Sequence, residues 1–202
     1  VIPEVVKVIT SKRTGEEKTF EMPIRCPVCN ASVVRSEKEV ALRCVNTACP
    51  AQVKERIKHF ASKGAFDIDG LGDKLIDQLV DKDLLFSYAD IFRLTKETLK
   101  NLERMGSKSA TNIIRAIEDS RKISLNRFIY ALGIRHVGEH VAGVLANALK
   151  GLDRLMCATP DELEAIEGVG PVVAESIAGF FRQNENRKIV NDMIAGGIQI
   201  LR

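Results

Sequence analysis

The feature that most constrains the fold of this chain is a glycine that recurs at a nearly constant interval. The aligned glycines are Gly72, Gly106, Gly138 and Gly170, at separations of 34, 32 and 32 residues. Apolar residues stand seven, four and one positions before each glycine, and four and seven positions after it. Residues that are three or four positions apart share one face of a helix. The repeat therefore predicts a unit made of a helix, a tight turn and a second helix.

The residues at the aligned positions indicate how the helices pack. Four residues before the glycine stand Ile68, Leu102, Ile134 and Ile166, and four residues after it stand Ile76, Ala110, Ala142 and Ala174. The alanines allow two helices to approach closely, and we expect each aligned glycine to make the turn with a positive φ. One unit is too small to bury its own apolar face, so the units should pack into a common core. We predict an all-helical body over residues 63–202.

The turns are candidate phosphate-binding sites, because the N-terminus of a helix presents backbone N–H groups and the positive end of the helix dipole. The candidate residues are Gly70, Gly72 and Lys74 in the first turn, Arg104, Gly106, Ser107 and Lys108 in the second, Arg135 and Gly138 in the third, and Gly168 and Gly170 in the fourth. The fourth turn has Glu167 and Pro171 but no nearby cation, so it either relies on N–H groups or is mainly structural. The alternative for all four is that glycine only serves helix packing.

The distribution of charge restricts how this chain can bind nucleic acid. Residues 1–62 carry a net charge of +4, whereas residues 63–202 carry −1. Non-specific DNA binding depends on cations that neutralise phosphates. The helical part therefore needs locally placed groups rather than a high overall charge.

Four of the five cysteines follow the spacing C-x2-C-x14-C-x4-C, at Cys26, Cys29, Cys44 and Cys49. Two close pairs of cysteines separated by a short insert are typical of a tetrahedral Zn²⁺ site. Four thiolates leave no coordination position for water, so the predicted zinc is structural. The alternative is four unrelated buried cysteines. No apolar segment is long enough to cross a membrane, and the start of the chain lacks a signal peptide's apolar centre, which indicates the cytosol.

The first residues predict β structure. Residues 5–9 are rich in valine and isoleucine, and residues 14–17 are typical of a turn that leads into a second strand at residues 18–22. A hairpin of this size rarely stands alone, so we expect the edge of a larger sheet.

Several motifs together resemble one family. They are the cysteine motif ending in Cys49-Pro50-Ala51-Gln52, then Phe66-Asp67-Ile68-Asp69-Gly70-Leu71-Gly72, Ala131-Leu132-Gly133-Ile134-Arg135-His136-Val137-Gly138, and Ile166-Glu167-Gly168-Val169-Gly170. Over essentially its whole length the chain resembles the C-terminal portion of bacterial NAD-dependent DNA ligases. The resemblance implies the end of an OB-fold domain at residues 1–23, a four-cysteine zinc finger with its following helix at 24–62, and four helix-hairpin-helix repeats at 63–202.

The resemblance also implies a function. The family seals nicks between a 5′-phosphate and a 3′-hydroxyl in replication and repair, and its members attack NAD with the lysine of a Lys-x-Asp-Gly motif. This chain has Asp67 in place of that lysine, before Asp69-Gly70. We therefore expect it to be inactive alone, with NAD and Mg²⁺ bound only by the adenylation domain. The implied partners are nicked duplex DNA and the adenylation and OB domains, for a monomeric protein associated with the bacterial nucleoid and not with a membrane.

Three other interpretations are less consistent with the sequence. His136-Val137-Gly138-Glu139-His140 matches a zinc-hydrolase pattern, but Gly138 falls at the predicted turn. Base-excision glycosylases with this hairpin carry a lysine two residues after the last glycine, where this chain has Val172. A free-standing DNA-binding module without enzyme activity remains the alternative function.

Overall fold

The computed structural model describes residues 3–35 and 40–201. Its backbone divides into two compact units, Val1–Asn46 and Thr47–Arg202. Among the described residues, no helix combines the length and apolar character that crossing a membrane requires.

The fold is mainly helical, as predicted. The α-helices of the described residues are α1 (Pro50–Ala61), α2 (Asp73–Asp81), α3 (Lys96–Lys100), α4 (Ser107–Asp119), α5 (Leu125–Ala131), α6 (Glu139–Leu149), α7 (Leu152–Cys157), α8 (Pro160–Glu164), α9 (Pro171–Arg182) and α10 (Asn184–Ala195). Short 3₁₀ helices span Thr10–Lys12 and Tyr88–Arg93. The strands are β1 (Val33–Arg35), β2 (Leu42–Cys44), β3 (Lys122–Ser124) and β4 (Gln199–Leu201).

The β-hairpin predicted for residues 1–23 is wrong for the part of this segment that is described. Residues 3–23 contain no strand, and Thr10–Lys12 is a 3₁₀ helix. The turn itself is present: Gly15 has a φ of +89°, and the Thr14 N–H donates to Glu17 Oε1 at 2.7 Å. The apolar side chains of the segment remain exposed, with Phe20 77% accessible. An isolated two-stranded hairpin is only marginally stable. Nothing in the described structure packs on this segment to stabilise such a hairpin.

The first unit instead contains a small antiparallel pair within the cysteine segment. Strands β1 and β2 pair with Val34 opposite Arg43, and an isolated bridge joins Arg25 to Ser32. The Cys26 N–H donates to Ala31 O at 2.8 Å, which closes the loop that carries the first two cysteines. These bonds fix the backbone around the cysteines.

The second unit is built around one hydrophobic core to which all four predicted turns contribute. Phe60 is fully buried and stacks on Phe66 and Tyr88, with ring centroids 4.1 and 4.6 Å apart. Helix α1 belongs to this unit because Val53, Ile57 and Phe60 lie in the core. The domain limits at residues 23 and 62 remain predictions.

The four turns share one hydrogen-bond pattern. In each, the N–H of the residue before the aligned glycine donates to the carbonyl three residues earlier; these pairs are Leu71 to Ile68, Met105 to Leu102, Val137 to Ile134 and Val169 to Ile166, at 3.0–3.3 Å. The flanking helices pack against each other, namely α1 with α2, α3 with α4, α5 with α6 and α8 with α9. Ala110, Ala142 and Ala174 are at most 1% exposed, as close helix packing requires. The predicted register of the repeat is therefore confirmed.

The expected conformation of the aligned glycines is wrong. Gly72, Gly106, Gly138 and Gly170 have φ between −80° and −87°, in the extended region. The positive φ falls two residues earlier, at Gly70 (+80°), Arg104 (+59°), His136 (+65°) and Gly168 (+89°). The chain reverses at that earlier residue, and the aligned glycine then serves as the N-cap of the second helix.

The end of the chain is held to the helical core by Arg121. Its backbone carbonyl accepts from the Gln199 N–H at 2.7 Å, and β4 pairs in parallel with β3. Its guanidinium donates to Gly196 O at 2.6 Å and to Phe92 O at 3.1 Å. One side chain therefore connects three segments that are distant in sequence.

Candidate nucleic-acid interface and metal centre

The second helix of each turn begins without a side-chain cap. Helices α2, α4, α6 and α9 all have glycine at the N-cap, and no side chain of the described residues caps their first turns. Helices α3 and α8 differ, because the hydroxyls of Thr95 and Thr159 accept from Thr98 N and Glu162 N. The first N–H groups of a helix have no partner within the helix. In α2 and α9 the N–H groups of Leu75 and Val173 donate to the N-cap carbonyls of Gly72 and Gly170. The N–H groups that precede these have no hydrogen-bond partner among the described residues and are therefore available to a ligand.

The aligned glycines leave open space at these helix starts. A Cβ atom added to any of the four would meet nothing within 4 Å. Neither a positive φ nor crowding inside the protein therefore requires glycine at these positions. Glycine also allows the backbone to approach another molecule closely.

All of the predicted DNA-binding residues lie at least partly at the surface. All of them are exposed, namely Gly70, Gly72, Lys74, Arg104, Gly106, Ser107, Lys108, Arg135, Gly138, Gly168 and Gly170. His140 is a further candidate that the sequence motifs did not single out: it is exposed and lies two residues after its aligned glycine, as Lys74 and Lys108 do. Comparison of this one position among the repeats would have found it.

The fourth turn differs from the other three in its chemistry. Val172 occupies the position of Lys74, Lys108 and His140, and it is 59% exposed. Pro171 at the start of α9 has no N–H, which removes one of the available donors. The exposed Glu167 precedes this turn. The fourth turn is therefore poorly equipped for an anion.

The zinc-hydrolase pattern at residues 136–140 does not form a metal site on one helix. His136 lies in the turn with a positive φ, and α6 begins only at Glu139. Among the described residues, the one group of side chains suited to a metal is formed by four cysteines. The separation of the two histidines follows from the repeat, as expected.

The four cysteines of the motif come together. Sulfur atoms of Cys26, Cys29, Cys44 and Cys49 all lie within 4.8 Å of one another, and those of Cys29 and Cys44 are 3.5 Å apart. Tetrahedral zinc with Zn–S bonds of ~2.3 Å would place its sulfurs about 3.8 Å apart. The cluster therefore has the size and the donor set of a four-thiolate zinc site.

The chemistry of the cluster also fits a cation. Desolvation of the thiol, together with hydrogen bonds from the neighbouring cysteines, raises the pKa of Cys44 to about 11. A bound metal ion reverses this tendency because its charge stabilises the thiolate. Since the four sulfurs fill a tetrahedral shell, the zinc is structural.

Comparison with known proteins agrees with both parts of the molecule. Residues 25–51 match the family model of the NAD-dependent DNA ligase C4 zinc finger domain. Residues 65–119 match a SAM-like helix-hairpin-helix tandem, and residues 127–190 match a helix-hairpin-helix motif. The fold and the cysteine cluster thus define a class, proteins that join a four-cysteine zinc finger to helix-hairpin-helix motifs.

Similarity over nearly the whole of this chain points to one family within this class. The chain is 58% identical over 201 residues to a DNA ligase of Desulfosudis oleivorans, 53% to one of Halothermothrix orenii and 50% over 200 residues to one of Desulforapulum autotrophicum. These alignments cover 99% of this chain and 29–30% of the relatives. The resemblance to the zinc-finger and helix-hairpin-helix portion of NAD-dependent DNA ligases is confirmed.

Proposed function

We propose that this chain is the DNA-binding portion of an NAD-dependent DNA ligase and holds duplex DNA around a nick without reading its sequence. The observation that most supports this proposal is that α2, α4, α6 and α9 begin at the glycine turns without a side-chain cap. Backbone N–H groups and nearby cations contact phosphates, and such contacts position a protein without specifying bases.

The proposal extends to all four turns as helix-hairpin-helix units, with unequal roles. The second turn has the most cations, because Arg104 and Lys108 flank Gly106 on either side. The first and third turns offer Lys74, Arg135 and His140. The fourth turn contributes little charge, because Val172 and Glu167 replace the cations. The interface should therefore be strongest at the second turn.

In this proposal the rest of the ligase performs the chemistry. The adenylation domain would bind NAD and Mg²⁺ and carry the reactive lysine, and the OB domain would complete the enclosure of the nick. The protein would act as a monomer on nicked DNA in replication and repair, associated with the nucleoid. We prefer it to a free-standing binding module because the DNA ligases that it matches are about three times longer than this chain.

The test of DNA binding removes the two cations of the second turn. The double variant Arg104→Ala, Lys108→Ala should bind duplexes of different sequence equally more weakly. The slope of log K against log salt should become shallower by about 0.9 for each phosphate that the variant no longer neutralises. The matched control is Lys82→Ala, Arg154→Ala, which removes two exposed cations outside the turns. An equal weakening in both variants would contradict a specific role of the turn.

The test of parentage restores the missing chemistry. This chain would be mixed with a separately produced adenylation and OB portion, and sealing of a nicked duplex would be measured. We expect sealing above the level of the adenylation portion alone. The same assay with the second-turn double variant should give less sealing, and an unaltered rate would argue against positioning by this turn.

A further inference from the structure

A cavity of about 170 Å³ lies between the start of α1 with the preceding residues Thr47 and Ala48, the segment Phe86–Tyr88 and the start of α10. Its apolar lining includes Val53, Ile57, Tyr88 and Ile189. None of the residues assigned above to DNA or zinc contributes to it. An apolar cavity of about 150 Å³ is large enough to bind benzene. This one therefore has room for an aromatic ring.

The edge of the cavity carries an exposed aromatic side chain on a hydrogen-bonded backbone. Phe86 is 67% exposed, which is unusual beside a core that buries most of the other phenylalanines of this unit. Its N–H donates to Asp90 Oδ2 at 3.2 Å, and the same oxygen accepts from Ser87 N and Ser87 Oγ. The backbone on which the ring is mounted is therefore preorganised for stacking against a planar ligand.

Two amide side chains in the lining present a donor and an acceptor. The Asn186 amide donates one hydrogen bond to Phe180 O at 2.9 Å and one to Gln183 Oε1 at 3.1 Å. These bonds occupy both N–H groups of Asn186. No hydrogen bond within the described residues engages Asn186 Oδ1 or Gln183 Nε2, so the lining offers one acceptor and one donor. Amide oxygens and amide N–H groups are the side-chain groups that hydrogen-bond to the edge of adenine.

The charges of the lining favour a neutral ligand. Arg56 and Glu185 carry the only formal charges among the lining residues, and these charges are opposite. The Arg56 guanidinium already donates to the carbonyls of Gln52 and Thr47. A phosphate would gain little from an occupied guanidinium and would meet the carboxylate of Glu185. A neutral heterocycle fits this balance better.

We propose that this cavity binds a nucleobase, which stacks on Phe86 and pairs its polar edge with Gln183 and Asn186. The base belongs either to a free nucleoside or to an unpaired nucleotide of DNA. Stacking on aromatic side chains combined with hydrogen bonds to the base edge is the usual way in which proteins bind unpaired bases.

The first experiment adds adenosine to the whole chain and follows backbone amide NMR signals. We expect saturable shifts at cavity residues, with a dissociation constant on the order of 1 mM or tighter. Phe86→Ala should weaken binding about ten-fold, the effect expected for one stacking interaction. Gln183→Glu, which replaces the donor by an acceptor, should also weaken it. Phe20→Ala is the matched control, because Phe20 is similarly exposed but does not line the cavity.

Two further experiments test the hydrogen bond to the adenosine amino group and the source of the base. Purine riboside lacks the amino group of adenosine, so it should bind more weakly if the Asn186 carbonyl accepts from that group. A duplex with one unpaired adenine, compared with a fully paired duplex, tests the source of the base. If Phe86→Ala weakens binding to the duplex with the unpaired adenine but not to the paired duplex, the cavity binds a base of DNA. If Phe86→Ala binds both duplexes as the wild type does, the cavity binds free nucleosides. Adenosine that causes no saturable shift, or binds Phe86→Ala as tightly as wild type, overturns the proposal. This titration does not depend on DNA binding by the turns.

Discussion

The two units of this protein fix their backbones by different means. In Val1–Asn46, Cys26 is the one described residue that is buried, whereas Thr47–Arg202 has a continuous core that includes Phe60, Leu79 and Phe128 at 0% exposure. A short segment cannot bury enough apolar surface to offset its loss of conformational entropy. For the segment that carries Cys26, Cys29 and Cys44, the metal takes the place of a core, because zinc binding contributes directly to folding.

The largest expected effect comes from removing one zinc ligand. Cys29→Ser should abolish zinc binding and unfold the segment from residue 24 to 46, since structural zinc sites contribute roughly 10 kcal/mol or more. The α-helices, all of which begin at or after Pro50, should persist. Zinc content and amide NMR spectra measure the two effects. Collapse of the helical signals would show that the core of the second unit depends on the metal.

The second largest effect comes from a substitution in the hydrophobic core of the second unit. Phe60→Ala should reduce the free energy of unfolding of the helical unit by about 3–5 kcal/mol, because a fully buried ring leaves a cavity among its stacked neighbours. Urea denaturation followed by circular dichroism measures this decrease. Zinc content should remain at one ion per chain. Loss of zinc from the folded variant would show that zinc binding depends on the stability of the helical unit.

An intermediate effect separates glycines needed for folding from those available for binding. Gly70→Ala should destabilise the helical unit by roughly 1–3 kcal/mol, because φ is +80° and the new Cβ would lie 2.9 Å from Ile113 Cγ1. Gly106→Ala has neither problem, so stability should change by less than about 0.5 kcal/mol while DNA binding weakens. Denaturation and DNA titration on both variants test this pair. Equal DNA affinity for Gly106→Ala and wild type would contradict close approach at this helix start.

The smallest effect concerns a surface ion pair of the helical unit. Hydrogen bonds from Arg121 lower the pKa of Glu118 below its ordinary value of 4.5. Because the folded state prefers the ionised form, this contribution is present above about pH 4.5 and disappears as the pH falls through the lowered pKa. Glu118 is 56% exposed, so solvent screening limits the contribution to a few tenths of a kcal/mol. In Glu118→Gln, the decrease in the free energy of unfolding on the acid side of its pH profile should be smaller by that amount. A pH profile identical to that of the wild type would show that this ion pair does not contribute to stability.

The sequence predicted the helical turns well but misplaced their strained residue. Apolar spacing identified Ala110, Ala142 and Ala174 as close-packed positions, and all three are buried. The same spacing drew attention to the recurring glycine, although the left-handed residue lies two positions earlier. In two turns that residue is Arg104 or His136, which carries no recognisable mark in a sequence.

For residues 5–22, the sequence predicted secondary structure that the fold does not contain. Their β-branched composition predicts strands, yet this segment contains no strand. Strand propensity mainly reflects packing against neighbouring strands and a core, and neither is present for this segment in the described structure. Composition alone therefore overestimated its structure.

The sequence alone determined the register of the helical turns, the identity of the four metal ligands and the resemblance to a family, because each depends on spacing along the chain. The tertiary structure decided which glycines face open space, how Arg121 connects Phe92 with Gly196, and that Phe86 borders a cavity with Gln183 and Asn186. Those relations join residues from about 30 to 100 positions apart. Such residues meet only when the helices pack, and no local pattern encodes that meeting.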